Sequence, residues 1–214
     1  MTLLVRDDDI LVHSREFNGR EFDRFKGAHD LICQAGGKLL HAPAILVSEI
    51  QDFPQCIDYC KAETDAGRMQ LELHGYQHVD YASLSPAEVS EHLDKSLEWF
   101  NLTFNKLPTR WYTPFGAGAD ERGAFLNDIS SAFGLTLYGV DTERPQSSGV
   151  KITQQITHTV RDLRNGLSFD DLCSVRDDTL YHFWQRGSKL ERLVEVAKYG
   201  SWADAAIFNK ALFK

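Results

Sequence analysis

Short apolar runs alternate with amphipathic segments along the chain. The runs have the length and composition of strands, and they occupy residues 2–5, 38–47, 69–73, 109–114, 135–140 and 179–184. Segments between and after them have apolar residues at helical spacing, and predict helices over 20–34, 54–66, 86–105, 121–133, 189–199 and 202–213. Regular alternation of strand and helix predicts an α/β fold with a parallel sheet, a distorted and partly closed β/α barrel, in one domain spanning residues 1–214.

Local signals set several of the boundaries. Ser85, Pro86 and Glu88 stand in the order of an N-terminal capping box with proline at the first helical position, so a helix begins there. The pair Gly36-Gly37 predicts the end of the first helix. Pro43 lies inside an otherwise strand-like run and predicts a bulge or an irregular strand.

The segment 69–81, MQLELHGYQHVDY, contains the first candidate chemistry. Apolar and polar residues alternate over 69–73, which predicts a strand with one buried face that delivers His74 to its C-terminal edge. His74 and His78 are four residues apart, with Gly75 permitting an unusual backbone angle and Asp80 available as an acceptor beyond them. Such a spacing suits a shared metal ion. A lone pair of this kind is more often surface or satisfied core, so a metal site requires a third ligand.

Other polar residues fall at predicted strand ends. Three acids, Asp7 to Asp9, follow the first apolar run directly, as a solvated turn or as a cluster whose repulsion is relieved by Arg6 or by a metal ion. The turn-rich segment 114–118 can bring backbone amides near a ligand. His182 lies near the end of a late strand, whereas His41 has the pattern of a packed histidine. In parallel β/α folds these ends form one face, where sites are built.

Composition excludes some classes of function. The formal net charge of -8 and the sequence pI near 5.4 argue against nucleic acid as a partner. No apolar run approaches the ~20 residues of a membrane span, and acidic residues follow the N-terminus too closely for a signal peptide, which predicts a cytoplasmic protein. The four cysteines form no C-x-x-C pair and are expected to be reduced core residues; they are Cys33, Cys56, Cys60 and Cys173.

The order of four short motifs resembles the polysaccharide deacetylase family, the NodB homology domain. The motifs are RDDD, LHGYQH, TPFG and LYH, and the likeness spans about residues 3–184. The resemblance implies a divalent metal ion, with zinc as the expected ion, held by Asp9, His74 and His78. It also implies Asp8 as the base, His182 as the acid, and a substrate groove lined by Arg110, Tyr112, Pro114, Phe115 and Gly116.

The chain departs from the family pattern at several positions. The Asp triplet leaves open whether the acidic pair is Asp7/Asp8 or Asp8/Asp9, although Ile10 in the place of the family's Gly favours the second. Gly75 stands where the family usually has Ser or Thr. Tyr112 stands where it usually has Arg, and Arg110, two residues earlier on the same strand face, could orient the base instead. No counterpart of the family's fourth motif, Asp-x-x-Asp-Trp, is found in the sequence.

The resemblance implies amide hydrolysis, namely removal of acetyl from an N-acetylated sugar or glycan precursor in the biosynthesis of a surface glycan such as O-antigen, capsule or lipopolysaccharide. Two imidazoles and one carboxylate leave open positions on an ion that can polarise an amide carbonyl. Alternatives are a related metal hydrolase acting on another C–N bond and a catalytically degenerate sugar-binding domain. Several aromatic residues could stack on sugar rings, with core packing as the ordinary alternative; they are Tyr76, Trp111, Tyr112, Phe115 and Trp184.

Overall fold

A parallel sheet forms the centre of the molecule. The computed structural model describes residues 3–7, 20–37, 39–118, 123–138, 179–180, 194 and 198. Six strands pair in the order β5-β4-β3-β2-β1-β6, and all pairs are parallel. The strands are β1 (Leu3–Asp7), β2 (Leu39–Leu46), β3 (Glu72–Gly75), β4 (Arg110–Tyr112), β5 (Thr136–Tyr138) and β6 (Thr179–Leu180). The predicted α/β class with a parallel sheet is confirmed, while closure into a barrel stays a prediction because β5 and β6 are the two ends of the described sheet.

Helices lie between successive strands from β1 to β5, as parallel pairing requires. They are α1 (Arg20–Cys33), α2 (Val47–Ile50), α3 (Pro54–Asp65), α4 (Pro86–Phe104) and α5 (Phe125–Ala132). Short 3₁₀ turns lie at Tyr81–Ser83 and Pro114–Gly116. Among the residues that the structure describes, no helix is long and apolar enough to cross a membrane.

The predicted local signals operate as expected at two helix ends. The Ser85 hydroxyl accepts from the Glu88 N–H at 3.3 Å, and the Glu88 carboxylate accepts from the Ser85 N–H at 2.8 Å, which completes the capping box of α4. Gly36 and Gly37 follow α1 with φ of 62° and 84°, angles that favour glycine. The irregularity predicted for β2 is a register shift against β3 between Ile45 and Leu46.

Several predicted boundaries were wrong. The strand predicted at 69–73 runs from Glu72 to Gly75, and Met69 makes only an isolated bridge to His41. The strand predicted at 109–114 is shortened to Arg110–Tyr112 because Pro114 opens a 3₁₀ turn. Helix α5 begins at Phe125 and not at residue 121. Outside the described residues lie Asp8, Asp9, His182, Trp184, Cys173, the helix predicted at 202–213 and most of the one predicted at 189–199.

Glu72 is the clearest departure from the predicted strand pattern. A single buried face on β3 would have left this carboxylate in solvent, but Glu72 is fully buried. Its oxygens accept from the backbone N–H groups of Thr109 at 3.0 Å and Arg110 at 2.7 Å, and from the Arg110 guanidinium at 3.0 Å. Gln70 donates a further hydrogen bond at 2.5 Å. The prediction was wrong because a central parallel strand is covered on both faces, and a buried carboxylate is then retained by charge-assisted hydrogen bonds.

The apolar core lies between β2, β3, β4 and the helices. Helix α4 buries Val89, Leu93 and Phe100 in the same cluster as Leu73 and Trp111. Each such side chain contributes about 1.5–3 kcal/mol by leaving water. Helix α3 adds two buried cysteines to this core, as the sequence predicted; they are Cys56 and Cys60.

Candidate functional site

His74 and the turn after it form the candidate site. His74 is the third residue of β3 and is 2% exposed, so it lies within the strand and not beyond its end. Gly75 ends the strand, and the chain continues through Tyr76 and His78 to the 3₁₀ turn that begins at Tyr81. Both histidines are therefore placed at the C-terminal edge of a central strand, where parallel β/α folds build their sites.

Hydrogen bonds from β4 fix the orientation of His74. Its Nδ1 lies 2.5 Å from the carbonyl oxygen of Tyr112, and the indole N–H of Trp111 donates to the carbonyl of His74 at 3.2 Å. Because a carbonyl can only accept, the proton of the imidazole is on Nδ1, and Nε2 carries the lone pair. A backbone carbonyl on the distal nitrogen is the usual partner of a metal-binding histidine.

His78 faces the first imidazole. The two ring centroids are 5.5 Å apart with an angle of 46° between the rings. His78 is the central residue of a three-residue turn in which the Val79 N–H donates to the Gln77 carbonyl at 2.9 Å. It is half-buried, so the pair opens to solvent on the side of His78.

Phe115 packs against His78 from the turn after β4. The ring centroids are 4.6 Å apart in an edge-to-face arrangement. Phe115 has φ of 54°, which is unusual for a bulky residue, and it is 68% exposed. A large apolar ring held out in solvent beside an imidazole is suited to contact a ligand.

The other predicted groove residues are placed differently. Pro114 and Gly116, on either side of Phe115 in the sequence, are buried. Their turn is closed by a hydrogen bond from the Thr113 hydroxyl to the Ala117 carbonyl. The Tyr112 ring is fully buried, so it has no open face for a sugar ring, and its carbonyl instead orients His74. Trp111 is likewise a core residue.

Arg110 lies at the beginning of β4. Its guanidinium donates to Glu72 at 3.0 Å and its side chain is 18% exposed. The register pairs Leu73 with Trp111, which sets Arg110 beside Glu72 rather than at the end of β3. The described contact of Arg110 is therefore with a buried carboxylate, and its role in orienting the catalytic base stays a prediction, because Asp8 lies outside the described residues.

Asp80 and Tyr81 complete the turn. The Asp80 carboxylate, predicted as an acceptor for the histidines, accepts from the Ala82 N–H at 3.0 Å and so caps the 3₁₀ turn. Tyr81 is fully buried and its hydroxyl accepts from the Tyr76 N–H at 2.8 Å. Burial raises the pKa of Tyr81 to about 12, against the opposing effect of backbone N–H groups, so the phenol is neutral at physiological pH. Apolar periodicity does not single out Tyr81, because the hydrogen bond between its hydroxyl and the Tyr76 N–H depends on the path of the turn.

A second pair of histidines lies in the core. His29 on α1 and His41 on β2 are almost fully buried, with ring centroids 5.4 Å apart and Nδ1 atoms 3.2 Å apart. His29 Nε2 lies 2.9 Å from Glu63, whose carboxylate also holds Arg68. His41 is packed, as its sequence context predicts.

The donor set at the first pair fits a divalent ion. Two imidazoles face each other, and the Tyr112 carbonyl fixes the tautomer that a metal ligand requires. Strand β1 ends at Asp7, which pairs with Pro43 of β2, and it lies two strands, or about 10 Å, from β3. Within the described ranges, no group of three or more His, Cys, Asp or Glu side chains is arranged to hold a metal ion, so an ion at this pair requires a ligand from elsewhere in the chain.

Comparison with known proteins adds independent information. Residues 47–136 match the family model described as polysaccharide deacetylase. This stretch contains both histidines and the Phe115 turn. A search of curated proteins found no match.

Solved structures share the fold at low sequence identity. A family 4 carbohydrate esterase from Streptomyces lividans, in complex with acetate, is 18% identical with a TM-score of 0.57, covering 91% of this chain and 86% of its own. A mutant of the peptidoglycan deacetylase PdaC from Bacillus subtilis is 13% identical with a TM-score of 0.55, covering 99% and 94%. A family 4 pseudoenzyme mutant with restored enzymatic activity is 14% identical with a TM-score of 0.55, covering 92% and 62%. These likenesses establish the architecture.

Proposed function

We propose that this chain, whose residues 47–136 match the polysaccharide deacetylase family model, is a metal-dependent hydrolase that removes the acetyl group from an N-acetylated sugar. The observation that carries the proposal is the imidazole pair at the end of β3. In this pair the Nδ1–H of His74 donates to the Tyr112 carbonyl, so Nε2 is the nitrogen that would bind an ion. Hydrolysis of an amide by a protein of this family needs such a pair to hold an ion.

The ligands in this proposal are Asp9, His74 and His78, and the ion is zinc. When bound, the ion would polarise the acetyl carbonyl and lower the pKa of a water molecule. Hydrogen bonds with the Trp111 indole and the Tyr112 carbonyl hold His74 in place in the metal-free protein. Little reorganisation of this side chain would therefore accompany metal binding.

Two further residues transfer protons in the proposed reaction. Asp8 accepts a proton from the attacking water, and His182 donates one to the amine nitrogen, because an amine leaves readily only when protonated. Phe115 offers its exposed ring to the sugar beside His78. Pro114 and Gly116 flank Phe115 in the same turn. Arg110 donates to the buried Glu72 carboxylate at the beginning of β4.

The proposed substrate is an N-acetylated precursor of a surface glycan, such as O-antigen, capsule or lipopolysaccharide, handled in the cytoplasm by a single domain spanning residues 1–214. Acetate, which the Streptomyces esterase structure holds, is the product that such a reaction would release. The acidic net charge supports a substrate other than nucleic acid.

The direct test is acetate release from an N-acetylated sugar nucleotide and from a chitin oligosaccharide by the zinc-loaded protein. Asp8→Asn should keep the metal and lower turnover by ~10² to 10⁴, since a base and a ligand fail differently. Asp9→Asn should lose the metal. If Asp8→Asn loses the metal instead, the acidic pair is Asp7/Asp8; a wild-type protein that binds zinc but releases no acetate from any amide would be a sugar-binding domain.

His182 is tested by rate against pH. The proposed base must be deprotonated and the acid protonated, so the profile should be bell-shaped, with the alkaline limb due to His182. His182→Ala should lower amide turnover by ~10² to 10⁴ with the metal retained, and an ester analogue should lose less because its leaving group needs less protonation. Equal losses on both substrates would remove His182 from the mechanism.

A further inference from the structure

Gly75, between the two histidines, leaves space that another residue fills. It has φ of 153°, and a Cβ placed on it would lie 2.6 Å from the Tyr81 hydroxyl oxygen and 3.0 Å from two carbons of the same ring. A real Cβ atom essentially never approaches another heavy atom that closely. The phenol of Tyr81 therefore occupies the volume that any side chain at position 75 would need.

The Tyr81 hydroxyl holds the link between the histidines. It accepts from the Tyr76 N–H at 2.8 Å and also from the backbone N–H of Gln77. These are the two residues that lie between Gly75 and His78. A single buried oxygen thus accepts from two consecutive backbone amides of the turn.

The same side chain also contacts the residues that hold the first histidine. The Tyr81 ring packs edge-on against Trp111, with centroids 5.0 Å apart and planes at 87°. The indole N–H of Trp111 in turn donates to the carbonyl of His74. Tyr81 is therefore linked to both ends of the segment that carries the imidazoles.

Neighbouring contacts make Tyr81 a rigid support. The Asp80 carboxylate caps the 3₁₀ turn that contains it, and the Ser83 hydroxyl donates to the Asp80 carbonyl at 2.6 Å. On the other side, the Ser48 N–H donates to the Tyr76 carbonyl at 2.9 Å. The Tyr76 peptide is thus held by its N–H and by its carbonyl, from two different parts of the chain.

We propose that Tyr81 is a positioning residue of the metal centre, whose hydroxyl fixes the backbone between His74 and His78 and so sets the angle at which the second imidazole reaches the ion; this role rests on the proposed function. Gly75 makes room for the Tyr81 hydroxyl, which accepts from the Tyr76 N–H.

The main test is Tyr81→Phe, which keeps the ring and removes the hydroxyl. Co²⁺ titration, followed by visible absorption, reports both affinity and ligand geometry. The variant should bind Co²⁺ about tenfold or more weakly, with shifted absorption bands, since loss of a supporting contact commonly costs 10–100-fold in metal affinity. Tyr59→Phe is the matched control, because its half-buried ring packs against Phe22 and Phe25 of α1. Its Co²⁺ affinity and absorption bands should stay at wild-type values. Wild-type affinity and spectrum in Tyr81→Phe would overturn the proposal.

A metal-free measurement separates this inference from the proposed function. Amide hydrogen exchange at Tyr76 and Gln77 should accelerate about fivefold or more in Tyr81→Phe, as expected for loss of about 1 kcal/mol of hydrogen bonding. If the wild-type protein binds no Co²⁺, the proposed function fails, and unchanged exchange at these two amides would also remove Tyr81 as their anchor.

Two further variants guard against misfolding of Tyr81→Phe. Asp80→Ala removes the cap and leaves the phenol in place, so it should lower Co²⁺ affinity in the same direction but by a smaller factor. Gly75→Ala should weaken Co²⁺ binding less in the Tyr81→Phe background than in the wild type, because the 2.6 Å approach to the hydroxyl is then gone. Equal factors in both backgrounds would contradict the claim that the Tyr81 hydroxyl is the closest obstacle to a side chain at position 75.

Discussion

The two histidine pairs have almost the same ring separation, 5.5 Å for His74 and His78 and 5.4 Å for His29 and His41, but they use their nitrogens differently. In the first pair, the Nδ1–H of His74 donates to the Tyr112 carbonyl, which leaves the lone pair of the neutral imidazole on Nε2. In the second pair, the imidazoles are bonded to each other, Nδ1 to Nδ1 at 3.2 Å.

The core pair is the middle of a hydrogen-bonded chain. The Glu63 carboxylate can only accept, so His29 donates to it through Nε2, and the Nδ1 atoms of His29 and His41 share one hydrogen bond. Arg68 completes the chain by donating to both Glu63 oxygens, at 2.6 Å and 2.8 Å. Hydrogen bonding to Arg68 and His29 lowers the pKa of Glu63 to about 2, against the opposing effect of burial.

The comparison shows that ring separation does not identify a metal pair. The two pairs differ in the hydrogen-bond partners of their ring nitrogens. They also differ in exposure to solvent: His78 is half-buried, whereas both core imidazoles are at most 1% exposed. We therefore expect metal affinity to depend on one pair and folding stability on the other.

The largest expected effect is on metal content. His78→Ala should abolish stoichiometric zinc binding, because one imidazole and one carboxylate form too small a ligand set for a stable site. His41→Ala, the matched change in the core pair, should retain the metal. Elemental analysis after dialysis distinguishes them, and the comparison fails if His78→Ala keeps its zinc or His41→Ala loses it.

The next effect is on stability. His41→Ala removes a fully buried ring that contacts His29 and Phe25, and should lower the free energy of unfolding by about 2–4 kcal/mol. His78→Ala, at a half-buried position, should cost less than about 1 kcal/mol in the metal-free protein. Denaturant melts of both metal-free variants measure the difference, and equal losses would show that the two pairs are equally structural.

Sequence patterns predicted the parts of this comparison that depend on local signals. The strand end and the four-residue spacing of His74 and His78 are adjacent in the chain, and the capping box at Ser85 needs only the four positions from Ser85 to Glu88 to be recognised. The existence of the α/β sheet follows from the alternation of apolar runs. Each of these features is determined by neighbours in sequence.

Features that depend on strand register could not be read in the same way. The burial of Glu72 requires Thr109 and Arg110, which are more than thirty residues away, and the tautomer of His74 requires the carbonyl of Tyr112. The contact between His29 and His41 likewise arises only when α1 packs on β2. Their partners become neighbours through tertiary pairing, which apolar periodicity does not specify.

Glu63 allows a sharper test of the core chain. Its pKa is depressed in the folded state, so the stability it contributes is present above pH 4.5 and is lost as the pH falls toward about 2. Glu63→Gln should remove that acid-dependent loss and lower stability at pH 7 by about 1–2 kcal/mol, a modest figure because Arg68 is about half exposed. Thermal melts between pH 5 and pH 2.5 measure it; a variant with the same acid sensitivity as the wild type would contradict the assignment.

The smallest predicted effect is the pH dependence due to His41. Burial and then the neighbouring charge of His29 hold the pKa of His41 well below 6.5. The unfolded state therefore binds more protons than the folded state below this pH, so the contribution of His41 is fully present above pH 6.5 and declines as the pH falls. Between pH 6.5 and pH 5.5 the loss can reach about 1 kcal/mol, because the unfolded-state imidazole is only half protonated at pH 6.5 and a full proton corresponds to about 1.4 kcal/mol per pH unit. His41→Gln removes the titrating group, so the stability difference between wild type and variant should shrink over this interval in metal-free melts. A difference that stays constant from pH 7.5 to 5.5 would show that His41 accepts a proton in the folded core at its ordinary pKa, and that its link to His29 does not depend on the neutral imidazole.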